Sequence, residues 1–476
     1  MPRPRDFIIG PWRAVAVLGV TQILAWGALF YPPVLTIPLI AADRGWSQAF
    51  AMAGFSVGLF CGGLVSRNVG ALIDRFGGHV VMPFGSLIGA LGLVGLVAAQ
   101  KPWLYFGVWV VLGVAMAASL YDPAFGSIAR IFGAAARTPI TALTLVAGFA
   151  STVSWPATQF LIGSVGWRGT YLVYAALLAF LAAPLHAFAL PRRRAERVAP
   201  AQAVDSRRAV VLPPRGLPFV LVATAFASYA FVPSALSAQL LAIFERFGLS
   251  PTVVVAIGML FGPAQVLARL CEFSFGRHLH PLWSARFAAG VLVTAFVPLA
   301  VLPFSTPVAA TFAVMFGMAN GLMTIARGTV PLALFGASGY GLLVGRIGGS
   351  FLVVQSLAPV LVASIAEHTS DGLALTVVAA FAAASLFCFA AMRSRPDELE
   401  NPAVPSAEPE AIATGRGCKI SSGENLQRHP WRGSGAIRIK RDAAPELLAR
   451  LYGWFTGGLD ALDLKEAKSS LNELPA

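Results

Sequence analysis

Charged side chains are scarce in this sequence. Of its 476 residues only 12% are Asp, Glu, Lys or Arg, while 57% are hydrophobic; a soluble domain carries about 25% charge, so an ordinary globular enzyme is excluded. Cysteine is scarcer still. Cys61, Cys271, Cys388 and Cys418 are the whole set, and no two have metal-ligand spacing, which argues against a disulfide framework or a structural metal. There is no glycine-rich P-loop, so ATP drive would require another chain. No His/Cys cluster, Ser/His/Asp constellation or pair of catalytic carboxylates falls among the apolar segments, so no enzyme chemistry, metal or cofactor is expected. No cleavable signal peptide is expected, because Met1 to Arg13 is short and no small-residue cleavage site follows a compact apolar core; the first apolar segment is expected to act as its own insertion signal.

What is present is apolar length. A membrane-crossing helix needs about 20 mostly apolar residues, and twelve such segments can be laid down: 13–41, 47–69, 80–99, 103–129, 140–164, 169–190, 217–243, 252–273, 285–303, 307–327, 341–364 and 372–392. Trp46, Trp103, Trp109, Trp167 and Trp283 fall near their ends, as in an aromatic belt. The net charge of +13 does not indicate nucleic acid, because of where the charge sits. Of 25 Lys and Arg before residue 396, only Arg44, Lys101, Arg168 and Arg246 fall in one set of alternate loops. That asymmetry is the positive-inside pattern and predicts both termini in the cytoplasm. Residues 191–216, with seven arginines, form a basic linker held near anionic lipid.

The stretch 54–79 organises the chain. Gly54, Gly58, Gly62, Ser66 and Gly70 recur every four residues, a spacing expected to place small residues on one helix face for close approach of a second helix. Gly70, Asp74, Arg75 and Gly77 follow in a short charged turn between two apolar segments, where Asp74 can meet a helix N-terminus and Arg75 lipid phosphate or a helix C-terminus. This turn resembles the G-x-x-x-D-R-x-G signature between spans two and three of the major facilitator superfamily; Gly78 departs from the basic end of that motif and His79 partly fills it. Gly-Trp-Ser-Gln-Ala-Phe at 45–50 is similar to the opening of span two in the monocarboxylate and oxalate–formate antiporter branch.

The resemblance implies an all-α membrane protein: twelve transmembrane helices as two pseudo-symmetric six-helix bundles around a central cavity, at 1–190 and 217–395, joined by the 191–216 linker. The sequence carries an internal echo of this at an offset of 203. Gly45-Trp46-Ser47 corresponds to Gly248-Leu249-Ser250, and Phe132-Gly133 to Phe335-Gly336, as expected of duplicated repeats. Residues 396–476 are polar and Pro-rich, with one amphipathic stretch at 444–474 that looks like the C-terminal end of helical-repeat regulatory ATPases and cyclases. It reads either as a remnant of a neighbouring gene or as a docking helix, and the remaining tail as disordered.

An ionisable group within hydrocarbon is a functional hypothesis by default. The same offset sets Asp122 and Arg327 at nearly equal depths on spans four and ten, which line the cavity in the superfamily. Asp122 is read as the coupling carboxylate, with Arg327 as its partner or an anion site; the competing reading is a solvated salt bridge at the cytoplasmic mouth. Arg130, Arg346, Arg269 and Glu272 are gate or anion candidates; Arg269 and Glu272, three residues apart, are expected to neutralise each other, with a transport role as the alternative. Gly341, Gly345 and Gly349 in span eleven repeat the spacing of span two, and the resemblance implies that these two spans slide on each other at the cytoplasmic gate.

The uncharged cavity set is Gln22, Trp26, Tyr31, Tyr229, Gln239, Asn320 and Thr324, with Trp155 and Gln159 in span five. Pro32-Pro33, Pro123, Pro156 and Pro233 are expected to break or bend their helices. The expected function is secondary transport of a small solute by alternating access, proton-coupled or antiporting. The solute is either a small organic anion or a toxic compound exported from the cell. The chain is expected as a monomer in the inner membrane, with substrate, protons and lipid as its partners. The alternative is a non-transporting membrane sensor that uses the tail as its output.

Overall fold

The computed structural model describes residues 10–192, 216–276 and 279–392; most of the basic linker and the whole 396–476 tail lie outside the described residues. Within them every regular element is helical: α1 Arg13–Leu29, α2 Pro33–Arg44, α3 Gln48–Phe76, α4 Gly78–Ala98, α5 Pro102–Ser119, α6 Tyr121–Phe132, α7 Arg137–Ala147, α8 Ala150–Leu177, α9 Leu217–Arg246, α10 Pro251–Met259, α11 Phe261–Phe275, α12 Pro281–Val301, α13 Thr306–Phe335, α14 Tyr340–His368 and α15 Asp371–Ala391. Ten helical runs among the described residues are long and apolar enough to cross a membrane, and one of them, Pro102–Ala189, covers 88 residues. That run holds three of the expected spans and is interrupted by non-helical backbone at Leu120 (ψ −154°), Gly133 (φ 58°) and Gly166 (φ 70°).

Proline explains some interruptions but not others. Pro32-Pro33 separates α1 from α2. Pro123 lies just after the break at Leu120 and lacks the N–H that would bond the Ser119 carbonyl one turn back; the Gln22 side-chain amide donates to that carbonyl instead, at 2.7 Å. Pro156 and Pro233, by contrast, are carried inside α8 and α9. Two π-helical turns, at Leu178–Ala182 and Leu185–Ala189, flank Pro184, where the missing donor shifts the hydrogen-bond ladder.

The small residues of α3 do not share one face. A four-residue step advances roughly 400° around a helix with 3.6 residues per turn, so the row precesses by about 40° at each step. Gly54, Gly58 and Gly62 face α5, where an added Cβ at Gly58 would lie 2.9 Å from the Trp109 carbonyl and one at Gly62 2.8 Å from that of Gly113. Gly63, Ser66 and Gly70 face α14. A Cβ at Gly63 would come within 2.9 Å of the Gly349 carbonyl, and one at Gly341 within 2.6 Å of the Gly70 carbonyl. One helix thus serves two backbone-close interfaces. Trp109, expected at a membrane boundary, is instead buried against α3 (1% exposed), while Trp46 and Trp167 enclose the Arg44 guanidinium together with Tyr105, at 5.2, 5.3 and 5.5 Å.

The 203-residue offset recurs in the fold. Gly45 and Gly248 both adopt positive φ (66° and 95°), as do Gly133 and Gly336 (58° and 75°). Arg168 grips Asp43 through two hydrogen bonds of 2.9 and 2.6 Å, and Arg246 grips Asp371 through two of 2.7 and 2.6 Å. Adding 203 to 43 and 168 gives 246 and 371. The two ion pairs occupy corresponding positions with acid and base exchanged. Both lie at the end of the helices opposite Asp74, since α3 runs 29 residues, roughly 43 Å at 1.5 Å per residue, from near Asp43 to Asp74.

Candidate functional site

Hydrogen bonds and ion pairs joining residues before 192 to residues after 216 gather at the Asp74 end. Asp74, in the last turn of α3, accepts from the backbone N–H of Gly341 at 2.8 Å and of Leu342 at 2.7 Å. These belong to the first turn of α14, whose N–H groups have no partner within the helix and carry the positive end of its dipole. Arg130 donates to the backbone carbonyls of Asp74 and Arg75 at the α3 C-terminus and so holds the acid in place. Gly77 ends α3 at φ 87°, and α4 begins at the next residue. The Arg75 guanidinium lies over the Phe76 ring at 4.9 Å, and that of Arg346 over Phe219 at 4.0 Å.

Directly along this interface, Arg327 on α13 donates to Asp122 on α6 at 2.6 Å, with side chains 11% and 10% exposed. Gly348 closes on the Asp122 carboxylate so tightly that any Cβ there would overlap it. The Arg327 guanidinium also rests 3.8 Å from the Phe351 ring centroid. The pair is therefore packed into the closed contact between α6, α13 and α14. Close by, Gly126 packs on the Gly341 backbone, and Gly328 on Ile140 and Phe125. A further contact joins the halves here: Arg137, the first residue of α7, donates to the carbonyls of Gly276 at 3.1 Å and Leu279 at 2.5 Å.

Above the ion pair, toward the Asp43 end, Arg269 is the charge that stands out. It is 4% exposed, yet its contacts are long: Nε to the Gly321 carbonyl at 3.4 Å, and Nη2 to Gln265 at 3.4 Å and Thr324 at 3.3 Å. Its Nη1 has no hydrogen-bond partner among the described residues and points at Gly148 across the interface, where an added Cβ would collide with it. Tyr31, Tyr121 and Tyr229 all lie within electrostatic reach of this guanidinium. The expected pairing with Glu272 does not form. Three residues along a helix leave two side chains about 60° apart and within reach of each other, but here Glu272 accepts from Ser284 at 2.8 Å while Arg269 turns toward Gly321 and Thr324 on α13. The result is a buried cation between the halves with phenols, an amide and a hydroxyl around it and, among the described residues, no carboxylate bonded to it.

The uncharged set divides. Gln22 is fully buried and repairs the Ser119 carbonyl, with Trp26 donating to its Oε1 at 3.2 Å; both act as packing polar groups. Tyr31 is half-buried beside Trp26, ring centroids 5.9 Å apart. Tyr229 donates to the Asn320 side chain, and Thr324 to the Asn320 backbone carbonyl at 2.8 Å, so these three are linked to one another, and Thr324 links them to Arg269. Trp155 and Gln159 are exposed. The side chain of Gln239 lies outside the described residues. Sequence reading passed over Gly148 and Arg137; the offset of 203, which carries Arg137 onto Tyr340 at the start of α14, was the signal available for the latter.

Comparison with known proteins agrees with this architecture. A family model for the Major Facilitator Superfamily matches residues 15–330. Monocarboxylate transporter 11 of Mus musculus is 31% identical over 141 residues, 29% of this chain and 29% of that one. The Homo sapiens protein of the same name is 31% identical over 155 residues, 32% of this chain and 30% of that one. The matched stretch thus spans less than a third of either relative. Among solved structures, the human organic anion transporter MFSD10 (TETRAN) superposes with a TM-score of 0.61 at 14% identity, covering 82% of this chain and all of that one. The proton:xylose symporter XylE bound to 6-bromo-6-deoxy-D-glucose gives 0.59 at 11% identity, covering 81% and 96%. At these identities the structural likeness is one of fold.

Proposed function

The chain belongs to the major facilitator superfamily, and from that membership we propose that it moves a small organic anion across the inner membrane by alternating access. Arg269 is the observation that carries this reading. A buried guanidinium lacking a carboxylate partner is costly unless another group compensates it, and a substrate carboxylate matches its planar donor fork. Tyr229, Asn320 and Thr324 on one side and Tyr31 and Tyr121 on the other supply neutral hydrogen-bonding groups around that anion. The partial likeness to monocarboxylate transporter 11 supports the same substrate class and favours it over export of a toxic compound.

In this reading twelve crossings form two six-helix bundles with both termini in the cytoplasm. The Asp74 end is then the inner end, and the arrangement described is outward-facing, its inner gate shut by Asp74 on α14 and by the Asp122–Arg327 pair. Opening that gate separates Asp122 from Arg327, and a proton can then replace the lost counter-charge on Asp122; this is where proton coupling enters. The protein works as a monomer. The test is flux in proteoliposomes with an imposed pH gradient, over a panel of mono- and dicarboxylates and neutral analogues of the same shape. Anion-selective flux that Arg269→Gln abolishes, and that loses its pH dependence in Asp122→Asn, is expected. Equal flux of the neutral analogues, or an unaltered Arg269→Gln, overturns the anion assignment.

A further inference from the structure

We propose that Arg137 is a second latch of the gate, the counterpart of the Asp74 latch in the other repeat. The geometry starts from the offset of 203, which carries α7, beginning at Arg137, onto α14, beginning at Tyr340. Each helix follows a positive-φ glycine, Gly133 or Gly336. At α14 the helix start donates, through the Gly341 and Leu342 N–H groups, to the Asp74 carboxylate in the last turn of α3 of the opposite half. At α7 the helix start donates as well, but through the Arg137 side chain to the Gly276 and Leu279 carbonyls of the opposite half.

The electrostatics are complementary. Gly276 caps the C-terminus of α11, the negative end of that helix dipole, where a cation is stabilising. Asp74 places an anion at the positive end of α14. Two charge-to-helix-end contacts of opposite sign therefore fasten the same end of the molecule. Among the described residues, the other charged groups facing Arg137 are Glu272 on α11, which reinforces its position, and His280 before α12, which opposes it when protonated. Arg137 touches no substrate; it is a positioning residue that sets how firmly the inner gate stays shut. This rests on the alternating-access reading.

Spin labels at Ala135 and Ser338 test it. Both positions are exposed, they are related by the same offset, and they flank the two helix starts; the native cysteines are replaced beforehand. Interlabel distances by pulsed electron resonance are expected to show a short population in the parent protein. In Arg137→Gln the ratio of short to long population should fall about tenfold, the scale for loss of a charge-assisted hydrogen bond, while Arg137→Lys keeps the parent distribution. Asp74→Asn serves as the reference and should lengthen the distance too. An Arg137→Gln distribution that superimposes on the parent while Asp74→Asn moves overturns the second latch and leaves the gate intact. If neither moves, the alternating-access assignment of this end is lost as well. Should Arg137→Gln fail to fold, Arg137→Met carries the same expectation.

Discussion

Removing the Asp122 carboxylate is the sharpest perturbation available at the closed end. Asp122→Asn keeps the shape that Gly348 demands and retains one acceptor oxygen, but leaves the Arg327 guanidinium without its counter-charge. Breaking a buried ion pair on one side costs about 3–5 kcal/mol. Both groups are about a tenth exposed, so the lower figure applies, and about 3 kcal/mol corresponds to roughly a hundredfold change in an equilibrium constant at 1.4 kcal/mol per tenfold. The pair exists only while α6 and α13 are in contact, so the whole change falls on the balance between shut and open. Amide exchange in the segment 336–345 reports it, because the Gly341 and Leu342 N–H groups are covered by Asp74 only in the shut state, and local opening sets their exchange. Exchange of those amides is expected to accelerate by about a hundredfold, with amides at the Asp43 end unaffected. Unchanged exchange at 341 and 342 in a correctly folded Asp122→Asn protein would refute the reasoning, since the pair would then contribute nothing to closure. A charge swap is not a usable control here, because Gly348 leaves no room for arginine at position 122.

Two further substitutions separate packing from chemistry. Gly70→Val places a branched side chain against the Gly341 backbone, where any Cβ already overlaps; it is expected to force α3 and α14 apart and speed exchange of the Gly341 and Leu342 amides that Asp74 covers, whereas Gly107→Val, in open space, should not. Gly148→Val fills the position facing Arg269 Nη1 from the opposite half, so it should raise the apparent KM for the anion at least tenfold with little change in thermal stability, and a loss of stability without a KM change would mean that Gly148 is only a packing position.

How much of this was legible beforehand differs from element to element. The long apolar helical runs follow from hydropathy, which is a property of single segments. That Asp74 meets a helix N-terminus was legible because the turn is marked by local spacing. The glycine row of α3 was misread as one face, because a four-residue step looks like a helix repeat but slowly winds around it. Gln22 looked like a cavity ligand; its actual task, filling in for the amide that Pro123 lacks, depends on two segments nearly a hundred residues apart. Arg269 and Glu272 looked paired because sequence neighbours are easy to see, while Ser284 and Thr324, which take them in different directions, come from other helices. Long-range partners of this kind are set by packing between helices, and a single sequence does not display them.

The exchanged ion pairs at the Asp43 end bear on how such a duplicated chain assembles. Two halves with the same layout could recruit each other's hairpins while inserting. Any such mix-up here would set Asp43 against Asp371, and Arg168 against Arg246, so that every wrong match is repulsive while both right ones attract. Inverting the signs in one copy gives each half a private handshake, and the ancestral symmetry can persist in the backbone without confusing the fold.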